Sequence, residues 1–348
     1  MILCVPLLLL SACDVHEMPD PPTYNQLHLK LNFETYMTEW KHVQDGMSIV
    51  EQGVGTTYDN ALDYGKMRYV IRTFPIMGNQ RTSQYYTQEF VFTKNFIDDY
   101  NYEVTLDVLP GDYKIMVWAD MVETDGDVYF YNAENFSEIK LQGDHKGNCD
   151  YRDAFRGTND ITIVSDIVER LPDTLCITMQ RPLAKFEFVA TDVLEFIDKE
   201  FTRIATKAAM RGDTIDASTT KVINIEDYVV AFHYAGYMPN TYNMHTDKPV
   251  DSTVGIMFES TLKQLSETSA AVGFDYVFVN GKNASVSVQI GVYDNERTQL
   301  SLTDPIEVPL RRSHHTILAG SFLISEASGG LVINPSFDGN HNIIIPQQ

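Results

Sequence analysis

The sequence predicts a mainly β protein built as two tandem antiparallel β-sandwiches, with one helix inserted in the second. Period-two alternation of apolar and polar residues recurs in short segments along most of the chain. Gly, Pro and Asn cluster between those segments, where turns need them. One stretch, 192–212, has helical spacing instead. A chain of 348 residues with 44% hydrophobic side chains is long enough to bury two cores.

The N-terminus reads "MILCVPLLLLSACDVHE". Its apolar run is about half of the roughly twenty residues that a membrane span needs, and fits the central part of a secretory signal. Leu10-Ser11-Ala12-Cys13 places a cysteine after a leucine and two small residues, a pattern that resembles a bacterial lipobox. That resemblance implies a lipoprotein signal peptide over 1–12 and a diacylglyceryl group on the sulfur of Cys13. The other reading is an ordinary secretory signal followed by an unmodified cysteine. Residues 13–25, polar and Pro-rich, then form an extended tether.

The first sandwich is expected over 26–181. "QLHLKLNFET" alternates Leu27, Leu29, Leu31 and Phe33 with polar residues, and "MRYVIRTF" and "QEFVFTKN" repeat the pattern. In "YEVTLDVLPGDYKIMVWADM", Val104, Leu106 and Val108 share a face. Pro110-Gly111 turns the chain, and Tyr113, Ile115 and Val117 return, the reading of a hairpin. A strand, a Leu-Pro-Gly turn and a Tyr-led strand resemble transthyretin-like sandwich domains. In "DTLCITMQRPLAKFEFVAT" the apolar phase changes at Pro182, which places the boundary there and the second sandwich over 182–348.

A helix is expected next, opened by a capping box of Asp192 and Glu195. Its apolar stripe is Leu194, Ile197, Phe201, Ile204, Ala205 and Ala208, and it ends near Gly212. Strands resume through "DYVVAFHYAGY", "GIMFES" and "FDYVFVNGKNASVSVQIGVYD", with Asn280-Gly281 as a two-residue hairpin turn. "IEVPLRRSHHTILAGSFLIS", "GLVINP" and "NIIIP" complete the β pattern, and no internal repeat is visible.

The chemistry expected from this chain is sparse. A net charge of -22 opposes binding to nucleic acid and electrostatic docking on anionic lipid, leaving acyl chains as the membrane attachment. No nucleophile elbow, phosphate loop or dinucleotide fingerprint occurs, so no catalytic residue, cofactor or enzyme activity is assigned. Adjacent His314 and His315 point to opposite faces of a strand and cannot grip one metal ion, which reads as an exposed strand end. The acidic turn "ETDGD" at Glu123–Asp127 lacks the spacing of a full calcium loop. Cys149 and Cys176 are either a disulfide permitted by export or two unrelated thiols. Tyr129, Phe130 and Tyr131 beside Asn132 are either core filling or an aromatic platform for sugar.

Taken in order, the lipobox, the tether, "LPGDYKIMVWAD", "RDAFRG", "MQRPLAKFEF" and "VPLRRSHHTILAGSFL" resemble the fimbrillin superfamily of Bacteroidales cell-surface lipoproteins. The likeness is greatest to its FimB-like branch of fimbrial anchors and minor subunits. That resemblance implies a tandem transthyretin-like architecture, outer-membrane attachment through Cys13 and other fimbrial subunits as partners, with a host or bacterial surface ligand as a further partner. It also implies that subunits join when a neighbour's strand completes an unpaired sheet edge. In this family a protease often removes an N-terminal strand after an Arg. Here the first Arg is Arg68, beyond the first strand, which fits a subunit that keeps its N-terminus and its lipid. The segment 330–348 is then the candidate donor strand. A surface glycan-binding lipoprotein is the alternative from another class, and an enzyme with dispersed carboxylates a third.

Overall fold

The computed structural model describes residues 23–41, 65–95, 101–123, 129–164, 173–212, 223–281 and 283–325. Before Pro182 the strands are β1 (Asn25–Phe33), β2 (Thr38–Lys41), β3 (Gly65–Met77), β4 (Arg81–Thr82), β5 (Gln88–Asn95) and β6 (Asn101–Val108). They continue with β7 (Gly111–Glu123), β8 (Tyr131–Asn132), β9 (Ile139–Leu141), β10 (Ala154–Ile163) and β11 (Asp173–Met179). After it come β12 (Leu183–Ala190), helix α1 (Val193–Arg211), β13 (Val229–Tyr234), β14 (Met238–Asn243), β15 (Lys248–Thr253) and β16 (Met257–Thr261). The last are β17 (Lys263–Gln264), β18 (Ala270–Phe278), β19 (Ala284–Tyr293), β20 (Gln299–Leu302), β21 (Ile306–Leu310) and β22 (His314–Gly320). The protein is mainly β, with one α-helix among the described residues.

Both halves use the same path of strands. In the first, β1 lies between β11, in parallel, and β6, antiparallel; opposite it runs β10-β7-β3-β5. In the second, β12 lies between β22, in parallel, and β18, antiparallel; opposite it runs β21-β19-β13-β16. Seven strands thus repeat in order and in partner. The repeat is absent from the sequence because alternation alone specifies a buried face, and unrelated side chains satisfy it equally well. The sandwiches are mainly antiparallel, with parallel pairs where the first and last strands of each half meet.

The predicted faces hold, whereas the predicted hairpins do not. Leu27, Leu29 and Leu31 are fully buried in one core with Leu106, Val108, Tyr113, Ile115 and Val117. Each such side chain contributes about 1.5–3 kcal/mol by leaving water. Yet β6 pairs with β1 while β7 pairs with β3 and β10, so Pro110-Gly111 carries the chain from one sheet to the other. Asn280-Gly281 does the same between β18 and β19, at the equivalent place in the repeat. Gly281 has the positive φ of 75° that its turn position suggested.

The helix also differs from expectation. Asp192 precedes α1 but makes no side-chain capping bond; its Oδ2 instead accepts from the amides of Leu323 and Ile324, 2.9 and 3.0 Å away, fixing the chain beyond β22. The buried helix positions are Val193, Phe196 and Glu200, while Leu194 is half exposed. Gly212 closes the helix in the left-handed region, as its position predicts.

Pro182 separates β11 from β12, but the fold crosses it three times. β2 adds in parallel to β22, extending the sheet of the other half. β8 and β9 pair with β14 and β15 in a four-stranded sheet drawn from both halves. A third core cluster joins Trp118, Tyr131 and Phe136 to Tyr242, Tyr276 and Phe278. Cys149, half-buried, and Cys176, exposed, are free thiols rather than a bridge.

Candidate functional site

The two halves differ at their sheet edges. In the second, the three strands β18-β12-β22 are extended by β17 on one side and β2 on the other. In the first, the equivalent strands β6-β1-β11 stand as a three-stranded sheet among the described residues. The β11 edge is partly covered by β10. Gly157 abuts it so closely that a Cβ would lie 2.5 Å from Ile177 Cγ2, the Asn159 amide donates to the Cys176 carbonyl, and Arg156 and Gln180 exchange backbone bonds. The β6 edge is covered less. Gln88 caps one end, donating to the Asp107 carbonyl and accepting from the Leu109 amide, at 3.0 and 2.9 Å. Glu103 and Thr105 remain exposed along this edge. Among the described residues no strand pairs with the outer side of β6, and an edge of this kind is where a further strand adds.

Buried ion pairs hold the halves in register. Asp275 on β18 sits against Arg152 and His145, the latter at 2.6 Å, and accepts from the Tyr234 hydroxyl at 2.6 Å. Burial works to raise the Asp275 carboxyl, but Arg152 and His145 overcome it and hold the group below its usual value. Burial, and next Asp275, push the Tyr234 phenol well above its usual value, so it stays a donor. Lys185 on β12 reaches Asp150 at 3.2 Å and lies over the Phe274 ring. Asp247, in the turn after β14, takes Arg156 from β10, Arg312 and the Tyr242 hydroxyl. Burial opposes ionisation there too, yet these donors draw its pKa down to about 2. At the junction, Arg181 Nε donates to both Asp153 oxygens at 2.9 and 2.8 Å, and Nη1 to the Glu34 and Thr35 carbonyls.

The residues singled out in the sequence fall as follows. Cys13, the signal peptide and segment 330–348 lie outside the described residues, as does most of "ETDGD". His314 and His315 do not form an exposed strand end: His315 is buried, 3.0 Å from Glu187 on the neighbouring β12, and His314 Nδ1 lies 2.7 Å from the Arg312 carbonyl. Phe130 and Tyr131 are buried core rather than a sugar platform, and Tyr129 lies under the Arg68 guanidinium. Among the described residues no three His, Cys, Asp or Glu side chains converge as a metal site, and no helix is long and apolar enough to cross a membrane. The ion pairs between the halves escaped sequence reasoning. One visible signal was charge inside an apolar run, as in the Lys185 of "LAKFEF".

A family described as a family of unknown function, DUF6562, matches residues 21–346. The chain belongs to it. No curated protein matches this member of DUF6562. Among solved structures, it is similar to a candidate adhesin from Bacteroides ovatus ATCC 8483, with 11% identity, 86% of this chain and 88% of that one covered, and a TM-score of 0.40. The fimbrial anchor protein Mfa2 from Porphyromonas gingivalis matches at 9% identity over 80% and 82%, with a TM-score of 0.37. A fimbrial assembly protein from Parabacteroides distasonis ATCC 8503 matches at 10% identity over 86% and 92%, with a TM-score of 0.34. The architecture of this DUF6562 chain is therefore established by its own strand pairings.

Proposed function

We propose that this chain is a cell-surface lipoprotein, held in the outer membrane by the lipid on Cys13, that serves as a fimbrial anchor or minor subunit. Its two sandwich units, 26–181 and 182–348, bind partner subunits by strand addition. The supporting observation is β2. A strand from the first half completes the β22 edge of the second, so this repeated topology already accepts a strand supplied from outside its own unit. The equivalent sheet of the first half has no such added strand among the described residues. The β6 edge is the acceptor on this reading: it is the equivalent of the β18 edge that β17 extends, whereas the β11 edge is partly covered by β10. A role in scaffolding rather than turnover agrees with a set of buried charges that are paired across the junction, not aimed into a cleft.

Hydrogen exchange compared between the free chain and the chain in assembled fimbriae tests the reading. Amides of Asn101–Val108 gain protection on assembly if a partner strand adds there. Unchanged exchange along β6 removes the acceptor edge.

A further inference from the structure

The outer face of β3 carries a cleft that strand addition does not use. It has a volume of about 740 Å³ and opens where three segments meet: the loop before β5, the loop between β8 and β9, and the turn after β14. Tyr85 and Tyr86 stand on one wall, 84% and 45% exposed. Phe136 and His245 form the other side, and Arg72 and Phe74 of β3 the floor.

The walls are preformed. Ser83 Oγ and the Tyr85 backbone hold each other through two bonds, at 2.9 and 3.0 Å. Backbone bonds from Ser83 to Pro75 and from Thr87 to Thr73 pin both ends of the tyrosine loop to β3. Across the cleft, Asn135 Oδ1 accepts from the Ser137 amide at 2.9 Å. The Arg72 guanidinium is buried between the rings of Tyr86 and Phe136, 4.6 and 4.3 Å from their centres, and is paired with Glu89. His245 packs edge-on to Phe74 at 4.8 Å.

Charge narrows the ligand class. Arg72 is neutralised by Glu89, and Glu138 by Lys140 at 3.1 Å. Burial, with Lys114 next, pushes the His245 imidazole below its usual value, so the ring is neutral at pH 7. The cleft thus offers no uncompensated cation to a phosphate or an acidic sugar, and the net charge of -22 repels anions at long range. What it offers is flat aromatic surface with planar amide and carboxylate groups of Gln84, Asn135 and Glu134 beside it. A ring with an apolar face and a rim of hydroxyls matches that surface; a wholly apolar ligand would leave the polar groups unpaired.

We propose that this cleft binds a neutral oligosaccharide, with a sugar ring stacked on Tyr85 and Tyr86 and its hydroxyls bonded to Gln84, Glu134 and Asn135. A smaller cleft, of about 370 Å³, adjoins it, shares Arg72 and Glu134, and includes Tyr129 and Asn132. It continues the site along β3 for further sugar units. Of the two readings of Tyr129, Phe130 and Tyr131, core filling holds for Phe130 and Tyr131; the exposed rings are Tyr85 and Tyr86, with Tyr129 at the far end.

Native gels cast with xyloglucan, galactomannan, arabinoxylan or glycogen, and with polygalacturonate or chitosan as charged controls, test the site on the full chain. Retardation is expected in at least one neutral gel. It should weaken about ten-fold when Tyr85→Ala and Tyr86→Ala are combined, and measurably in Tyr85→Ala alone, whose ring is too exposed to matter for folding. Tyr237→Ala, removing an exposed ring elsewhere, should change nothing. Unaltered migration in all four neutral gels overturns the proposal. So does retardation confined to the charged gels, or retardation that survives loss of both tyrosines.

Discussion

Replacing Arg181 by Met should destabilise the whole chain, because Arg181 and Asp153 are both 0% exposed. The substitution keeps most of the side-chain volume but removes two charge-assisted bonds to Asp153 and two bonds to the Glu34 and Thr35 carbonyls. It also removes the cation over the Phe155 ring, 4.5 Å away. Breaking one partner of a buried pair leaves an uncompensated charge and costs about 3–5 kcal/mol. By contrast Arg297–Glu259, whose side chains are 61% and 47% exposed, is screened by water and adds little to stability. A chain of this size loses roughly 1–2 °C of Tm per kcal/mol, so Arg181→Met should melt about 5 °C lower and Arg297→Met nearly unchanged. Adding Asp153→Leu to Arg181→Met should recover part of the loss, since an apolar pair carries no stranded carboxylate. Calorimetry with matched urea titrations measures all four proteins. A loss below about 1 kcal/mol for Arg181→Met refutes the claim that this junction holds its charges dry.

Three further outcomes follow from the same geometry. Asp247 has its pKa held at about 2, below its unfolded value, so its contribution is present above about pH 4 and is lost as pH falls toward 2; Asp247→Asn should flatten that part of the acid denaturation curve. Gly157→Ala should cost about 1–3 kcal/mol, because the new Cβ meets Ile177, Met179 and the Thr178 carbonyl within 2.9 Å, whereas Gly78→Ala, with nothing within 4 Å, should be near neutral in urea unfolding. Phe196→Ala should cost about 3–5 kcal/mol and Leu194→Ala under about 0.5, since the first is buried and the second half exposed; equal losses would contradict that difference in burial.

Those helix residues show how far the sequence was legible. Apolar spacing located the helix and Gly212 its end, and Ile197, Phe201, Ile204, Ala205 and Ala208 of the stripe are part-buried; Leu194 alone faces out, and the fully buried Val193, Phe196 and Glu200 were missed. Glu200 occupies a buried position through Arg203 and Tyr228, and no hydrophobicity pattern reveals a buried acid. For the strands, alternation reported the inward face of Leu27, Leu106 and Ile115 correctly, because burial is a property of one residue and one face. Partner choice is not. Pro110-Gly111 and Asn280-Gly281 have turn chemistry that suits a hairpin and suits a crossing between sheets equally, so the pairing was lost where the face was kept. The candidate sites were less legible still. The β6 edge is defined by what neighbouring strands leave unpaired, and the aromatic cleft by rings from three separated segments.

Anchoring through Cys13 is tested most directly by radiolabelled palmitate on cells expressing either the native chain or Cys13→Ala. The account predicts label on the native chain, none on the variant, and release of the variant into the medium together with its fimbrial partners. An unlabelled native chain, or a variant that stays in the envelope and still retains those partners, would contradict it.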